Sequence, residues 1–313
     1  MVVWIATLGV FELVVRQRGF LVSREGPAAV SIRRAVDEIQ PDDIVVIGSS
    51  EMAASIDLDI LSGTLHRPVR LLTAWGATPY LLFDFLLHRR PEFKGQVILS
   101  LTFTNFTQRA TGYTNELRRL VRSASSVTPA QRASEAITDW LADRFVFRNP
   151  QLDVRPEFLG EMGVRIGNVA VTPSGELISA IPTPEDLQYH QSEWEHVVFK
   201  PDPEGTKVRR ESVSKAFTEL RARGGRGMLL YVPSIGPKQS AEDRFPRQSG
   251  WDLFVADSGV PALRVDDVPE LKAAFQPRDG IHLDVDTRQA FTRAFAKVLV
   301  EKYGLGGLAG GAR

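Results

Sequence analysis

The sequence predicts an α/β protein built on a parallel, doubly wound five-stranded sheet, and three observations carry that prediction. Short, largely apolar runs recur along the chain, continuous at Ile44–Ile47 and broken by a few polar residues among Val69–Ala74, Gln96–Phe103, Gly227–Val232 and Ala262–Val265. Such runs are typical of strands covered on both faces. Stretches of helical periodicity separate them, and parallel strands need crossover connections of that kind. Several runs end directly in polar or glycine turns: Gly48-Ser49-Ser50, Trp75-Gly76 and Thr104-Asn105.

The elements follow in order. Pro27 to Ile39 reads as a helix because Ile32, Ala35, Val36 and Ile39 recur at i, i+3, i+4 and i+7. After the Gly-Ser-Ser turn a helical stretch begins near Glu51, and Pro79 to His88 forms another, rich in Leu and Phe. The alternation stops between Phe106 and about Gly205, where charge and proline rise. This region reads as a long insertion or cap, with helical pieces near 128–147 and 184–198 and short strands within 154–181. The alternation resumes with a helix over 208–223, a turn at Gly224-Gly225 and the last two strands. The terminal helix runs from about Asp286 to Tyr303, and 304–313 is a glycine-rich tail. The expected organisation is an N-terminal segment (1–19), a core in two parts (20–105 and 206–303), the insertion (106–205) and the tail (304–313).

Lys plus Arg and Asp plus Glu both total 38, so the formal charge is zero. Nothing in that balance points to nucleic acid, and no acidic block points to a disordered tail. The chain has no cysteine, which excludes disulfides, thiolate metal sites and a cysteine nucleophile. Residues 1–15 are nearly all apolar, broken by Thr7, Gly9 and Glu12. As a helix they would span about 22 Å, short of the roughly 30 Å hydrocarbon core. Three readings fit: a short or N-terminally incomplete membrane anchor, a buried or interfacial helix, or a signal remnant. Arg16 and Arg18 follow the segment, and the positive-inside tendency puts that end in the cytoplasm.

Four separated segments carry chemistry. Ser50, Gly76 and Asn105 each lie just after an expected strand. Asp279 and His282 lie between the fifth strand and the terminal helix. In an open α/β sheet these positions share the carboxyl edge, where such folds bind ligands. A carboxylate three residues before a histidine can fix the imidazole tautomer, and the imidazole can then act as general base for a serine hydroxyl. His282 is the one of five histidines with a carboxylate so placed. The Gly48-Ser49-Ser50 turn supplies the candidate nucleophile.

These residues resemble the SGNH, or GDSL-like, hydrolase superfamily, and more narrowly its envelope-associated branch. That branch includes alginate acetyltransferase-like proteins and proteins of lipoteichoic acid D-alanylation. The resemblance covers residues 40–105 and 206–303. Gly48-Ser49-Ser50 matches the Gly-Asp-Ser block with Ser49 in place of Asp, as in the Gly-Ser-Ser variants of the envelope branch, and the match implies Ser50 as nucleophile with Ser49 the alternative. Gly76 matches the oxyanion glycine of the second block and Asp279-x-x-His282 matches the last, which implies an oxyanion hole made by the N–H groups of Ser50 and Gly76 with the Asn105 amide. The third block, Gly-x-Asn-Asp, keeps only its Asn at Asn105, within Thr102-Phe103-Thr104-Asn105.

The resemblance implies a flavodoxin-like three-layer α/β/α fold with a five-stranded parallel sheet and a long insertion. It also implies a serine acyl-ester hydrolase or O-acyltransferase without cofactor or metal. Its substrate would be an acylated carbohydrate or other ester, with O-acetyl groups on an envelope or exported polysaccharide foremost. A catalytic domain outside the cytoplasm, attached to the membrane through residues 1–19, and a partner acyltransferase would follow. That orientation runs against Arg16 and Arg18. The alternatives are a non-catalytic SGNH-like protein that binds glycan or a partner, and a flavodoxin-like binding domain.

Plainer readings stand beside these. Gly48-Ser49-Ser50 can be a strand-to-helix turn whose serine caps the helix. Glu51 suits a first helical turn. His190 and His196 are six residues apart and fall on different helix faces, so they make a poor metal pair. Tyr189, Trp194 and Trp251 can line a carbohydrate groove or simply pack. His66 and His88 read as structural.

Overall fold

A computed structural model describes residues 8–10, 12–13, 28–74, 79–106, 118–119, 121–122, 128–142, 144–145, 169–171, 176–179, 200–243, 245 and 247–305. Its centre is a five-stranded, all-parallel sheet. The strands are β1 (Ile44–Gly48), β2 (Val69–Thr73), β3 (Gln96–Leu101), β6 (Arg226–Tyr231) and β7 (Ala262–Arg264), in the spatial order β2-β1-β3-β6-β7. The chain moves outward from β1 in one direction and then crosses to the other side. Its switch point therefore lies between β1 and β3, the place where such sheets open a crevice.

Side-chain alternation divides the core into two layers. From β1, Val45 and Ile47 point to one face, while Ile44 and Val46 point to the other. The first face is covered by α1 (Ala28–Glu38), α4 (Tyr80–Arg89), α6 (Pro203–Ala222) and α8 (Trp251–Ser258). Val36, Phe83, Phe217 and Phe254 are among the residues packed there. The second face is covered by α2 (Ser50–Ser55), α3 (Leu58–Leu65), α9 (Pro269–Ala274) and α10 (Val285–Tyr303). Phe291 and Phe295 of α10 stack with parallel planes against this side. The architecture is three-layer α/β/α, as the apolar runs predict.

The differences in detail have local causes. The stretch after Gly48 is two helices rather than one. Asp57 interrupts it, and its side chain accepts the Ile60 N–H to cap α3. β3 stops at Leu101, not Phe103, because Phe103–Phe106 coils into a 3-10 turn. The helix expected from Val208 starts at Pro203, where Asp202 caps it through Gly205 N and proline occupies the first turn. Two pieces with no helical stripe are helical: α7 (Pro237–Glu242) and α8. The expected helix near 128–147 is α5 (Pro129–Ala142).

Within the insertion, β4 (Val169–Val171) and β5 (Leu177–Ser179) form an antiparallel pair, and β5 packs against α2. Glu176, just before β5, accepts the Leu58 N–H at 3.1 Å and lies 3.3 Å from Arg288 Nη2 on α10. Asp57 Oδ2 lies 3.5 Å from the same nitrogen. A buried carboxylate thus joins the insertion to α3 and α10 of the second layer. The expected helix at 184–198, with Tyr189, His190, Trp194 and His196, falls outside the described residues. So does most of the apolar segment 1–15. Among the described residues, no helix is long and apolar enough to cross a membrane.

Candidate active site

The site begins with a glycine. A Cβ at Gly48 would lie 2.7 Å from Met52 Cβ and 2.6 Å from Met52 Cγ. Only a bare Cα lets β1 turn at once into α2 with Met52 beneath it. Ser49 then takes an extended conformation (φ −105, ψ −162) as N-cap residue, and its carbonyl accepts the Ala53 N–H. Its hydroxyl caps nothing and instead donates to the Glu51 carboxylate. Ser50 is thereby the first helical residue.

Across the carboxyl edge, the loop before α10 folds into a tight turn. Asp279 Oδ1 accepts both the Ile281 N–H (2.9 Å) and the His282 N–H (2.7 Å). Asp279 Oδ2 lies 2.8 Å from His282 Nδ1. The turn needs Gly280, whose φ is +89; a Cβ there would meet the Ile235 carbonyl oxygen at 2.7 Å. Ile235 N–H, from the loop after β6, donates to Gly280 O at 2.8 Å. Buried Leu283 follows, and Asp284 caps α10 by accepting Asp286 N and Thr287 N. Arg278 Nε lies 3.1 Å from the other Asp284 oxygen.

His282 Nε2 then reaches Ser50 Oγ at 3.0 Å. With Nδ1 held by a carboxylate, the imidazole carries its proton on Nδ1 and offers the Nε2 lone pair to the serine hydroxyl. Burial works against the Asp279 charge, but the bonds from His282 and from the two backbone N–H groups outweigh it. Its carboxyl sits below the ordinary 3.8. Asp279 is therefore ionised at neutral pH, as an orienting group must be. The His282 side chain remains 21 % exposed, open to a substrate from solvent.

Two groups on this edge could act as donors to an oxyanion. As the first residue of α2, Ser50 has a backbone N–H with no intrahelical acceptor, and it has none elsewhere among the described residues. Asn105 is 4 % exposed in the turn after β3, the strand next to β1. Its Oδ1 accepts the Thr102 N–H at 2.7 Å. Since only the oxygen can meet an N–H donor, the amide orientation is fixed and Nδ2 carries two protons toward the other side. Gly76 falls outside the described residues.

Among the sequence-predicted residues, the fold brings Ser50, Asp279 and His282 into one hydrogen-bonded chain. Ser49, the alternative nucleophile, is tied to Glu51 instead. Sequence reading missed Ile235 and the segment around it. The one signal was the glycine inside Asp-Gly-Ile-His, which marks a close backbone approach without naming the partner. No family model, curated protein or solved structure matches the chain.

Proposed function

We propose that this protein is a serine acyl-ester hydrolase or O-acyltransferase working through an acyl-enzyme on Ser50. The carrying observation is the unbroken relay from Asp279 Oδ2 to His282 Nδ1 (2.8 Å) and from His282 Nε2 to Ser50 Oγ (3.0 Å). His282 Nε2 takes the hydroxyl proton as Ser50 Oγ attacks the ester carbonyl. The tetrahedral oxyanion faces Ser50 N–H and Asn105 Nδ2, and Gly76 N–H is proposed as a third donor. His282 then returns the proton to the departing alkoxide, leaving an acylated Ser50. Water resolves that ester in a hydrolase and a sugar hydroxyl in a transferase, again with His282 as base.

The substrate class follows from the SGNH resemblance of the Gly48-Ser49-Ser50 and Asp279-x-x-His282 blocks. It is an O-acylated, foremost O-acetylated, envelope or exported polysaccharide. The same resemblance supports membrane association through residues 1–19, a catalytic domain outside the cytoplasm and a partner acyltransferase.

The test is turnover of an acyl ester and labelling by a fluorophosphonate in wild type, Ser50→Ala and His282→Ala. Wild type should turn over and label, Ser50→Ala should do neither, and His282→Ala should label far more slowly. Equal behaviour of all three would overturn the assignment. The loss of Gly and Asp from the third block supports a second reading, a non-catalytic glycan- or partner-binding protein. That reading predicts glycan binding that survives Ser50→Ala and no acyl-enzyme by mass spectrometry.

A further inference from the structure

Beyond the three residues of the relay, one buried acid is built into its support. Glu242 ends α7 and is 8 % exposed. One of its carboxylate oxygens accepts the Tyr231 hydroxyl, and the other accepts Ser234 N–H at 2.8 Å. Tyr231 is the last residue of β6, and Ser234 lies in the loop that leaves it. Val232 N–H at the root of this loop donates to Leu101 O of β3. The next donor along is Ile235 N–H, the one that holds Gly280 O at 2.8 Å.

Among the described residues, that bond is the one backbone hydrogen bond from the Asp279–His282 turn to a distant segment. Asp279 closes the turn on itself, and His282 Nε2 reaches out of it to Ser50 Oγ. Glu242 also borders a cavity of about 530 Å³ whose walls include Phe103, Phe106, Phe245 and Trp251. Both carboxylate oxygens are already engaged by donors of this chain, so a ligand there would have to displace them.

We infer that Glu242 is a positioning residue for His282: by gripping Ser234 it sets Ile235, and Ile235 sets the Gly280 turn. This rests on reading His282 as the base of the proposed reaction. A carboxylate suits the place because it accepts from two fixed donors at once. Burial and the bonds from Tyr231 and Ser234 pull the Glu242 carboxyl in opposite directions, and burial prevails. Desolvation raises the Glu242 carboxyl, and desolvation and the acid beside it raise the Tyr231 hydroxyl.

The experiment compares Glu242→Met, which offers Ser234 N–H no acceptor, with Glu242→Gln, which keeps one acceptor while the Tyr231 hydroxyl can rotate to accept the new N–H. Three readouts are taken: kcat and KM for an acyl ester, thermal midpoint, and the ¹⁵N-edited NMR signal of the His282 Nδ1 proton. Glu242→Met should lower kcat at least tenfold with KM within about twofold, and should broaden or shift the Nδ1 signal. Glu242→Gln should restore kcat to within about threefold of wild type. A wild-type kcat and Nδ1 signal in Glu242→Met would overturn the inference, as would a kcat loss no larger than its unfolded fraction. If Glu242→Met does not fold, Glu242→Asp, shorter by one methylene, replaces it under the same criteria. If wild type hydrolyses no ester, the functional reading fails, and the NMR signal still decides whether Glu242 positions His282.

Discussion

Gly280 and Ile235 meet backbone to backbone: Ile235 N–H donates to Gly280 O at 2.8 Å, and no Cβ fits between Gly280 and the Ile235 carbonyl. This contact joins the loop after the fourth sheet strand to the turn that carries the histidine. It also fixes the φ of +89 that the turn requires.

Gly280→Ala should therefore cost about 1–3 kcal/mol of stability, from the left-handed conformation and the displaced Ile235 carbonyl. Urea unfolding would measure it. Ester turnover should fall further than the folded fraction does, because the displaced turn carries His282. A variant with wild-type stability and turnover would refute the argument.

Asp279→Asn keeps the shape of the turn and loses the charge that orients the imidazole. Its kcat should fall by about 10³- to 10⁴-fold, by the tautomer argument for such carboxylates. The pH dependence has a definite sign. The Asp279 carboxyl is lower in the folded protein than its ordinary 3.8. Its contribution to stability is thus present above that value and is lost as pH falls through the folded pKa. The stability gap between wild type and Asp279→Asn should be constant at neutral pH and narrow only below about pH 4. Denaturant titrations at pH 7 and pH 3 would check this, and a gap that widens with acid would contradict it.

Asn105 separates structure from chemistry. Asn105→Asp keeps an oxygen for Thr102 N–H but removes the amide donor. If that donor serves the oxyanion, kcat should drop about 10²- to 10³-fold. Folding, followed by circular dichroism, should change far less. Unchanged kcat would remove Asn105 from the proposed oxyanion site.

Thr292 tests the seam between α10 and the link from α2 to α3 in the same layer. Its fully buried hydroxyl accepts Asp57 N–H at 3.0 Å and lies 3.1 Å from Ser55 O. Thr292→Val, similar in shape, leaves the Asp57 N–H without an acceptor. Calorimetry should show a loss of about 1–3 kcal/mol. A neutral result would mean that the seam is held by apolar packing alone.

Much of this molecule is written in short-range pattern. The five strands are legible from runs such as Ile44-Val45-Val46-Ile47, because a strand covered on both faces must be apolar at nearly every position. The longer helices α1, α4 and α10 are legible from the recurrence of apolar residues at helical spacing. Asp279 and His282 are legible as a pair because three residues of chain hold them together. The short helices α7, α8 and α9 were not legible. At six to eight residues they are too short to stand alone, and their packing, not their periodicity, stabilises them.

Only the tertiary structure chose between Ser49 and Ser50. The two hydroxyls are adjacent in sequence, but the strand-to-helix turn sends one to Glu51 and the other to His282. Ser50 and His282 are 232 residues apart, and no local pattern encodes a contact across four crossovers. The strand order β2-β1-β3-β6-β7 and the Glu242, Ser234 and Ile235 support were decided at the same level. The sequence by itself determined which groups are candidates for the proposed acyl-ester chemistry. Packing of the two helical layers onto the sheet decided which of them meet, because meeting depends on how distant segments are held.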